Sequence, residues 1–300
     1  MPSEKIAHLT DRGVVGVTGR DSEKLLQGLV TNDLHALTEG EARHAALLSP
    51  QGKILFDFFV VRHGADYLLD VARSKAGDLV KRLTMYKLRA DVAIADVSAS
   101  YEVYAIWGAE SATLLKERGV AYVDPRQPLL GLRLLARSEI SHPIRGGEPG
   151  DSLAAYDALR VQLGVPDGGK DYAFGDAYPH EADFDLFNGV SFSKGCYVGQ
   201  EIVARMQNKT IVRKRAIKVA GVAPLTTDTD VLLGDVAIGH VGTVDGNSAI
   251  AMLRLDRAVE AEEKSQPLTA AGVVVTPDAD ALNRYRVSAA ARASTVHPSP

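Results

Sequence analysis

Three hundred residues with one cysteine, 46% hydrophobic content and a formal charge of -4 describe a globular chain of one to three domains. One cysteine excludes an internal disulfide, zinc centres built on several thiolates and any iron–sulfur cluster held wholly by this chain. The 34 basic and 38 acidic residues leave no surplus for bulk nucleic-acid binding, and no stretch approaches the roughly 20 apolar residues of a membrane span. Met-Pro-Ser-Glu-Lys-Ile has neither a signal-peptide core nor transit-peptide character. The expectation is a cytoplasmic protein without membrane partners.

Val14, Val15 and Val17 predict a strand ending at Gly19, and Asp21 or Ser22 caps a helix carrying Leu25, Leu26, Leu29 and Val30. Ser49-Pro50-Gln51-Gly52 is a turn between Ala45–Leu48 and Ile54–Val61, which predicts two paired strands. A third strand follows at Tyr67–Val71. Ser74 then caps a helix with Leu79, Val80 and Leu83 on one face. Val92 and Ile94, then Val103, Ala105 and Trp107, alternate as strands do, with Trp107 read as core. A short helix should contain Leu114 and Leu115.

Ile144 to Gly150 is loop by composition, and a helix capped by Asp151 or Ser152 places Tyr156, Leu159 and Leu163 in register before Gly164 and Pro166 stop it. From Arg213 the β-rich runs Ala216–Val219, Val236–Val244, Ser248–Leu253 and Gly272–Thr276 predict a separate small barrel. The tail from about Ala289, rich in Ala, Ser and Pro, reads as disordered. Without GxGxxG or Walker A sequences, α+β layers are expected rather than a doubly wound sheet.

The most informative segment is Lys194-Gly195-Cys196-Tyr197-Val198-Gly199-Gln200-Glu201. Gly195 would allow a positive φ just before the chain turns helical, placing Cys196 at or near a helix N-terminus, with Ile202, Val203 and Met206 on an apolar face. There the macrodipole and Lys194 would favour a thiolate, so Cys196 and Lys194 are the candidate reactive pair. The competing reading is a buried cysteine acting as a small hydrophobe. Glu201 equally serves as a first-turn carboxylate for its own helix.

Glu181, Asp183 and Asp185 alternate with Ala182 and Phe184 after Tyr178-Pro179-His180. Sparse oxygen ligands and a lone histidine argue against a metal site. Glu181 suits a pocket carboxylate that accepts hydrogen bonds from an amino-substituted heterocycle such as a pterin, or the whole stretch is a solvated loop. Thr31-Asn32-Asp33 reads as a helix stop with Asx-turn chemistry. Arg205, Lys209, Arg213, Lys214, Arg215 and Lys218 follow with no acid among them, either attracting an anion or forming a charged linker.

The octapeptide, with Pro179-His180-Glu181 and Leu186-Phe187-Asn188-Gly189-Val190 before it, resembles the signature of the YgfZ/GcvT-like folate-binding proteins. Leu25 to Leu34, Leu47 to Ile54 with Asp57, and Tyr86 to Val92 extend the resemblance over residues 8–255. It implies an α+β, GcvT-like ring of three subdomains around a hole for tetrahydrofolate. Residues 1–210 would hold two mixed α+β subdomains, residues 211–288 the barrel, and 289–300 the tail. It further implies a role in assembling or repairing iron–sulfur clusters, particularly for four-iron and radical enzymes that include tRNA-modifying ones. By that resemblance the cysteine is the functional residue, and Asn32, Asp57, Glu181, Tyr197 and Gln200 are candidates around tetrahydrofolate or a one-carbon derivative. The expected partners are folate and iron–sulfur assembly or client proteins.

The related glycine-cleavage T-proteins transfer an aminomethyl carbon to tetrahydrofolate. This chain has Phe56-Asp57 where they carry Asp-Asp, and Arg160-Val161-Gln162-Leu163-Gly164 where they carry Arg-Leu-Glu-Ala-Gly. Both departures weaken a folate-dependent aminomethyltransferase or demethylase as the alternative. A protein that only docks, through its basic stretch, is a third reading.

Overall fold

The computed structural model describes residues 5–108, 117–139 and 149–296. Its first elements are β1 (Lys5–His8), β2 (Arg12–Thr18), α1 (Ser22–Gln27), β3 (Ala42–Leu48), β4 (Ile54–His63), β5 (Asp66–Ala72), α2 (Ala76–Lys87) and β6 (Ala93–Asp96). Next come β7 (Tyr101–Trp107), β8 (Gly119–Val123), β9 (Leu132–Arg137), α3 (Pro149–Leu163) and α4 (Gln200–Lys209). The last are β10 (Lys214–Gly221), β11 (Asp230–Leu233), β12 (Val236–Asp245), β13 (Ser248–Arg254), α5 (Leu255–Glu263), β14 (Leu268–Ala270), β15 (Val273–Pro277) and α6 (Ala279–Val296). They group into two units, Met1–Tyr156 with Phe184–Gln200, and Asp157–Asp183 with Glu201–Pro300. No described helix is long and apolar enough to cross a membrane.

The first unit holds two antiparallel sheets, one ordered β3-β4-β5-β2-β6 and the other β1-β7-β9-β8. Strand pleating sends Phe56, Phe58 and Val60 of β4 into one core with Leu26 of α1 and Leu79 and Leu83 of α2. The intervening Asp57 and Phe59, both buried, therefore face the other way. Ile6, Tyr104, Ile106 and Leu134 form a smaller core on the second sheet.

The polar side of β4 meets a buried ionic network. Asp70 on β5 is fully buried; it accepts from Arg12 Nε of β2 at 2.7 Å, from Arg133 Nη1 of β9 at 2.8 Å and from Tyr122 Oη of β8 at 2.8 Å. Arg133 Nε also donates to Asp124 Oδ2 at 3.2 Å, and Arg126 Nη2 to the same oxygen at 2.9 Å. The guanidinium carbons of Arg133 and Arg126 lie 4.4 and 4.9 Å from the centre of the Phe59 ring, whose face attracts cations. Burial alone would raise the Asp70 carboxyl, but Arg12 and Arg133 hold it below the usual carboxylate range. Asp124 is likewise pulled down, against its burial, by Arg126 and Arg133.

The second unit closes β10-β13-β12-β11-β14-β15 into a barrel around Ile217, Val231, Val241, Ala251 and Leu253. Buried Arg160 ties the end of α3 to this unit, donating to Asp171 Oδ2 at 2.9 Å and Thr243 Oγ1 at 3.1 Å.

Several expectations need correction. Residues 157–183 group with the barrel and 184–200 return to the first unit, so the division is not a single cut near residue 210. The segment from Ala289, expected to be disordered, continues α6 to Val296 because Ala-rich sequence favours helix. Ser74 lies in a 3-10 turn, Arg73–Lys75, ahead of α2, and α3 starts at Pro149 rather than at Asp151 or Ser152. The expected helix at Leu114 and Leu115 and most of the Ile144–Gly150 loop lie outside the described residues.

Asp70→Asn leaves two buried guanidiniums short of their counter-charge and should cost about 3–5 kcal/mol in chemical denaturation. Because both carboxyls titrate lower in the folded state than in the unfolded one, their stabilisation is complete above about pH 4 and is lost as pH falls further. Asp124→Asn should flatten that acid dependence; an unchanged slope would contradict the network's role.

Candidate functional site

The residues Phe184–Gln200 rejoin the first unit through backbone contacts with the end of α1. Thr31 Oγ1 donates to Gly189 O at 2.6 Å, Ser191 N donates to Thr31 O at 3.0 Å, and Asn32 Nδ2 donates to Asn188 O at 2.6 Å. Asn32 Nδ2 also donates to His44 O at 2.8 Å, and its Oδ1 accepts from Asp33 N at 2.9 Å. The amide of Asn32 is thus spent on the backbone. Gly189 must be glycine, since a Cβ there would lie 2.3 Å from the Phe184 ring.

Lys194 is the next anchor. Its buried Nζ donates to Gln27 O at 2.9 Å, Val30 O at 2.7 Å and Asn32 O at 2.7 Å, using all three ammonium protons. These carbonyls lie at and beyond the C-terminus of α1, where orphan acceptors and the negative dipole end favour a cation. Burial pushes the ammonium down to about 8, with Asp33 opposing.

Tyr197 and Gly199 form the third anchor. The Tyr197 ring is buried, with Lys194 Nζ 5.3 Å from its centre, and burial pushes its hydroxyl up to about 12. Val198 packs on the sheet–helix core. Gly199 has φ 82, and a Cβ on it would lie 2.8 Å from Ser49 O and 3.1 Å from Gly52 Cα. The Ser49–Gly52 turn, closed by Gly52 N donating to Ser49 O at 2.8 Å, therefore touches the octapeptide directly.

Between these anchors Gly195 and Cys196 are both exposed. This removes the reading of Cys196 as a buried hydrophobe. It also corrects the expected electrostatics: α4 begins at Gln200, beyond Gly199, and the Lys194 ammonium is turned inward onto carbonyls. The residue with positive φ is Gly199, whereas a Cβ on Gly195 would meet nothing within 4 Å. What the arrangement offers is a solvent-facing thiol on a loop pinned at both sides. The residues just before Lys194 line a concavity of about 740 Å³, which Asn32, Arg43, Asn188, Phe192 and Ser193 border.

Of the remaining candidates, Asp57 is buried on β4 opposite Ala46 of β3, whose N–H donates to Thr31 Oγ1 at 2.9 Å, and Gln200 opens α4, its N–H donating to Tyr197 O at 3.3 Å. Glu181 belongs to the second unit, where its Oε2 accepts from Tyr178 N at 2.9 Å. Its neighbour Asp183 accepts from Arg215 Nη1 at 2.7 Å. Among the described residues no group of three His, Cys, Asp or Glu side chains is placed to hold a metal. The sequence reading missed Thr31 and Gly199 as anchors; the second glycine of the octapeptide was the available signal.

Residues 6–124 match the GCVT N-terminal domain family and residues 213–281 the CAF17 C-terminal beta-barrel domain family. The chain is 31% identical over 299 residues to the human protein named iron-sulfur cluster assembly factor IBA57, mitochondrial, covering 88% of this chain and 83% of that one. The mouse protein of that name is 34% identical over 276 residues, with 82% and 76% covered. A Mycosarcoma maydis homologue is 36% identical over 245 residues, which are 76% of this chain and 60% of that protein. Among solved structures, the glycine cleavage system aminomethyltransferase T from Bartonella henselae superposes with a TM-score of 0.71 at 14% identity, over 92% of this chain and 85% of that one. That likeness bears out the expected GcvT-like α+β fold with a C-terminal barrel. All three named relatives are mitochondrial proteins, which overturns the cytoplasmic expectation drawn from the opening residues and composition.

Gly199→Ala should cost about 1–3 kcal/mol from the strained φ and the clash with Ser49, and Lys194→Met a similar amount from its stranded carbonyls. Gly195→Ala should stay within about 0.5 kcal/mol, since its Cβ enters open space. Equal losses at Gly195 and Gly199 in urea denaturation would contradict the anchored-loop description.

Proposed function

Since the chain belongs to the family of IBA57 iron–sulfur cluster assembly factors, we propose that it acts in assembly or repair of iron–sulfur clusters, with Cys196 donating one thiolate ligand to a cluster or iron in transit. The observation that carries this reading is the exposed thiol held between the buried Lys194 and Tyr197. Iron in such clusters is ligated by several thiolates, so a chain with one cysteine shares its cargo with ligands from another molecule. Iron is bound by the deprotonated sulfur, and the exposure of Cys196 lets a partner's metal reach it. Pinning the backbone on both sides lowers the ordering cost of presenting the sulfur to a partner.

Tetrahydrofolate, or a one-carbon derivative, belongs to the proposal as a bound ligand whose one-carbon chemistry or redox sensitivity would couple to the cluster. Asp57 suits it, as a carboxylate buried on a sheet face that can accept hydrogen bonds from an amino-substituted ring. Asn32 does not suit direct contact, because its amide is committed to His44, Asn188 and Asp33. Clients would be enzymes with four-iron clusters, including radical enzymes that modify tRNA.

Cys196→Ser, expressed in a strain lacking the gene, should fail to restore four-iron enzyme activity while folding normally; full rescue would refute the thiolate role. Calorimetric titration with tetrahydrofolate should show saturable binding that weakens about tenfold or more in Asp57→Asn, the loss expected for a hydrogen bond to a charged group. No saturable binding would remove folate from the proposal and leave the thiolate part standing.

A further inference from the structure

We propose that a groove of the second unit, between α4 and α6, docks an acidic amphipathic segment of a partner protein. Residues Ile202, Arg205, Met206 and Lys209 follow the i, i+3, i+4, i+7 spacing and so share one face of α4. Val203, which flanks that face, is buried at 1% exposure. That shared face lines a groove of about 1070 Å³, which Ile211 and Arg292 also border; its one acidic lining residue, Glu181, has a carboxylate oxygen that accepts from Tyr178 N at 2.9 Å. Arg292 fixes the wall in place by donating to Gln207 O at 2.9 Å and to Asn208 O at the end of α4.

The chemistry of the lining selects the occupant. At about 1070 Å³ the groove lies at the top of the range of small-ligand pockets, about 300–1,000 Å³, and has room for a short length of polypeptide. The half-buried Ile202, Met206 and Ile211 form an apolar floor, which a merely solvated helix face would not need. The cations above that floor differ from those further along the basic stretch. Lys214 is paired with Asp176 and Arg215 with Asp183, whereas Arg205 and Lys209 are exposed and have no carboxylate within ion-pair distance among the described residues. A segment that sets apolar side chains on the floor and carboxylates against Arg205 and Lys209 would satisfy both features. Helix-in-groove recognition works in this way, with apolar anchors for affinity and charge for orientation and encounter rate.

This goes beyond the proposed assembly role by naming the partner's chemistry, and it uses neither Cys196 nor Asp57. The test titrates the full chain with a fluorescein-labelled peptide carrying leucines at i, i+3, i+4 and i+7 and glutamates between them. Fluorescence anisotropy should show saturable binding that weakens as salt shortens the Debye length below about 10 Å. The double variant Arg205→Gln/Lys209→Gln should bind about tenfold or more weakly, as should a peptide with serine for leucine, since anchors and close charges dominate such contacts. Circular dichroism checks that the variant is folded, and Arg205→Glu/Lys209→Glu should abolish binding if neutralisation only reduces it. Pteroylpentaglutamate is the competitor. Equal binding by wild type and both variants, equal binding of the serine peptide, no saturable peptide binding, or displacement by pteroylpentaglutamate at lower concentration than by unlabelled peptide would overturn the proposal. None of these outcomes bears on the Cys196→Ser rescue, so the two readings fail separately.

Discussion

The burial of Asp70 between the two sheets of the first unit is the constraint on which the rest of that unit depends. A carboxylate removed from water has a desolvation cost of several kcal/mol, and the pair is retained only where geometry and extra hydrogen bonds offset it. Here Arg12 of β2, Arg133 of β9 and Tyr122 of β8 all converge on it, so strands of both sheets must be in register before the charge is satisfied. Misregister by one residue would send Asp70 to the opposite face and leave the arginines stranded.

The same network reaches the loop that carries Cys196. Asp124 and Arg126 flank Pro125, whose carbonyl accepts from Asn188 Nδ2 at 3.0 Å. From Asn188 the hydrogen bonds pass through Asn32 to Lys194, and Lys194 lies two positions before the exposed Cys196. A cysteine at the surface of a well-fixed loop differs chemically from one on a mobile tail. Its position is set by buried charges and carbonyls far away in sequence, so a partner's iron ligands can meet it with little ordering cost. The single cysteine that excludes self-contained clusters is thereby the one thiolate the proposed role in shared clusters can use.

Local signals in the sequence were legible where neighbours alone decide structure. The Ser49–Gly52 turn, the β3–β4 pair and the apolar face of α2 follow from patterns a few residues long. The ionic network was not legible, because Arg133 and Asp70 are 63 positions apart and each reads as an ordinary surface charge. Lys194 misled for the same reason. Its three carbonyl partners lie more than 160 positions away, so proximity to Cys196 in sequence suggested an electrostatic helper where the fold required a structural pin. The short strands β11 and β14 carry too few residues to show alternation, and they are recognisable only once the barrel closes. The octapeptide, by contrast, carried the family resemblance in eight consecutive residues, although the glycine with positive φ is Gly199 rather than Gly195.

In the proposed role Cys196 supplies one ligand to a cluster completed by another molecule. Anaerobic reconstitution with iron and sulfide, followed by desalting and Mössbauer spectroscopy, tests it most directly when run with and without excess glutathione as the completing thiol. The chain alone should retain no cluster, the chain with glutathione should retain a thiolate-ligated one, and Cys196→Ser should lose it. Retention of the same cluster by Cys196→Ser, or its absence from the parent chain with glutathione, would contradict the ligand role of Cys196.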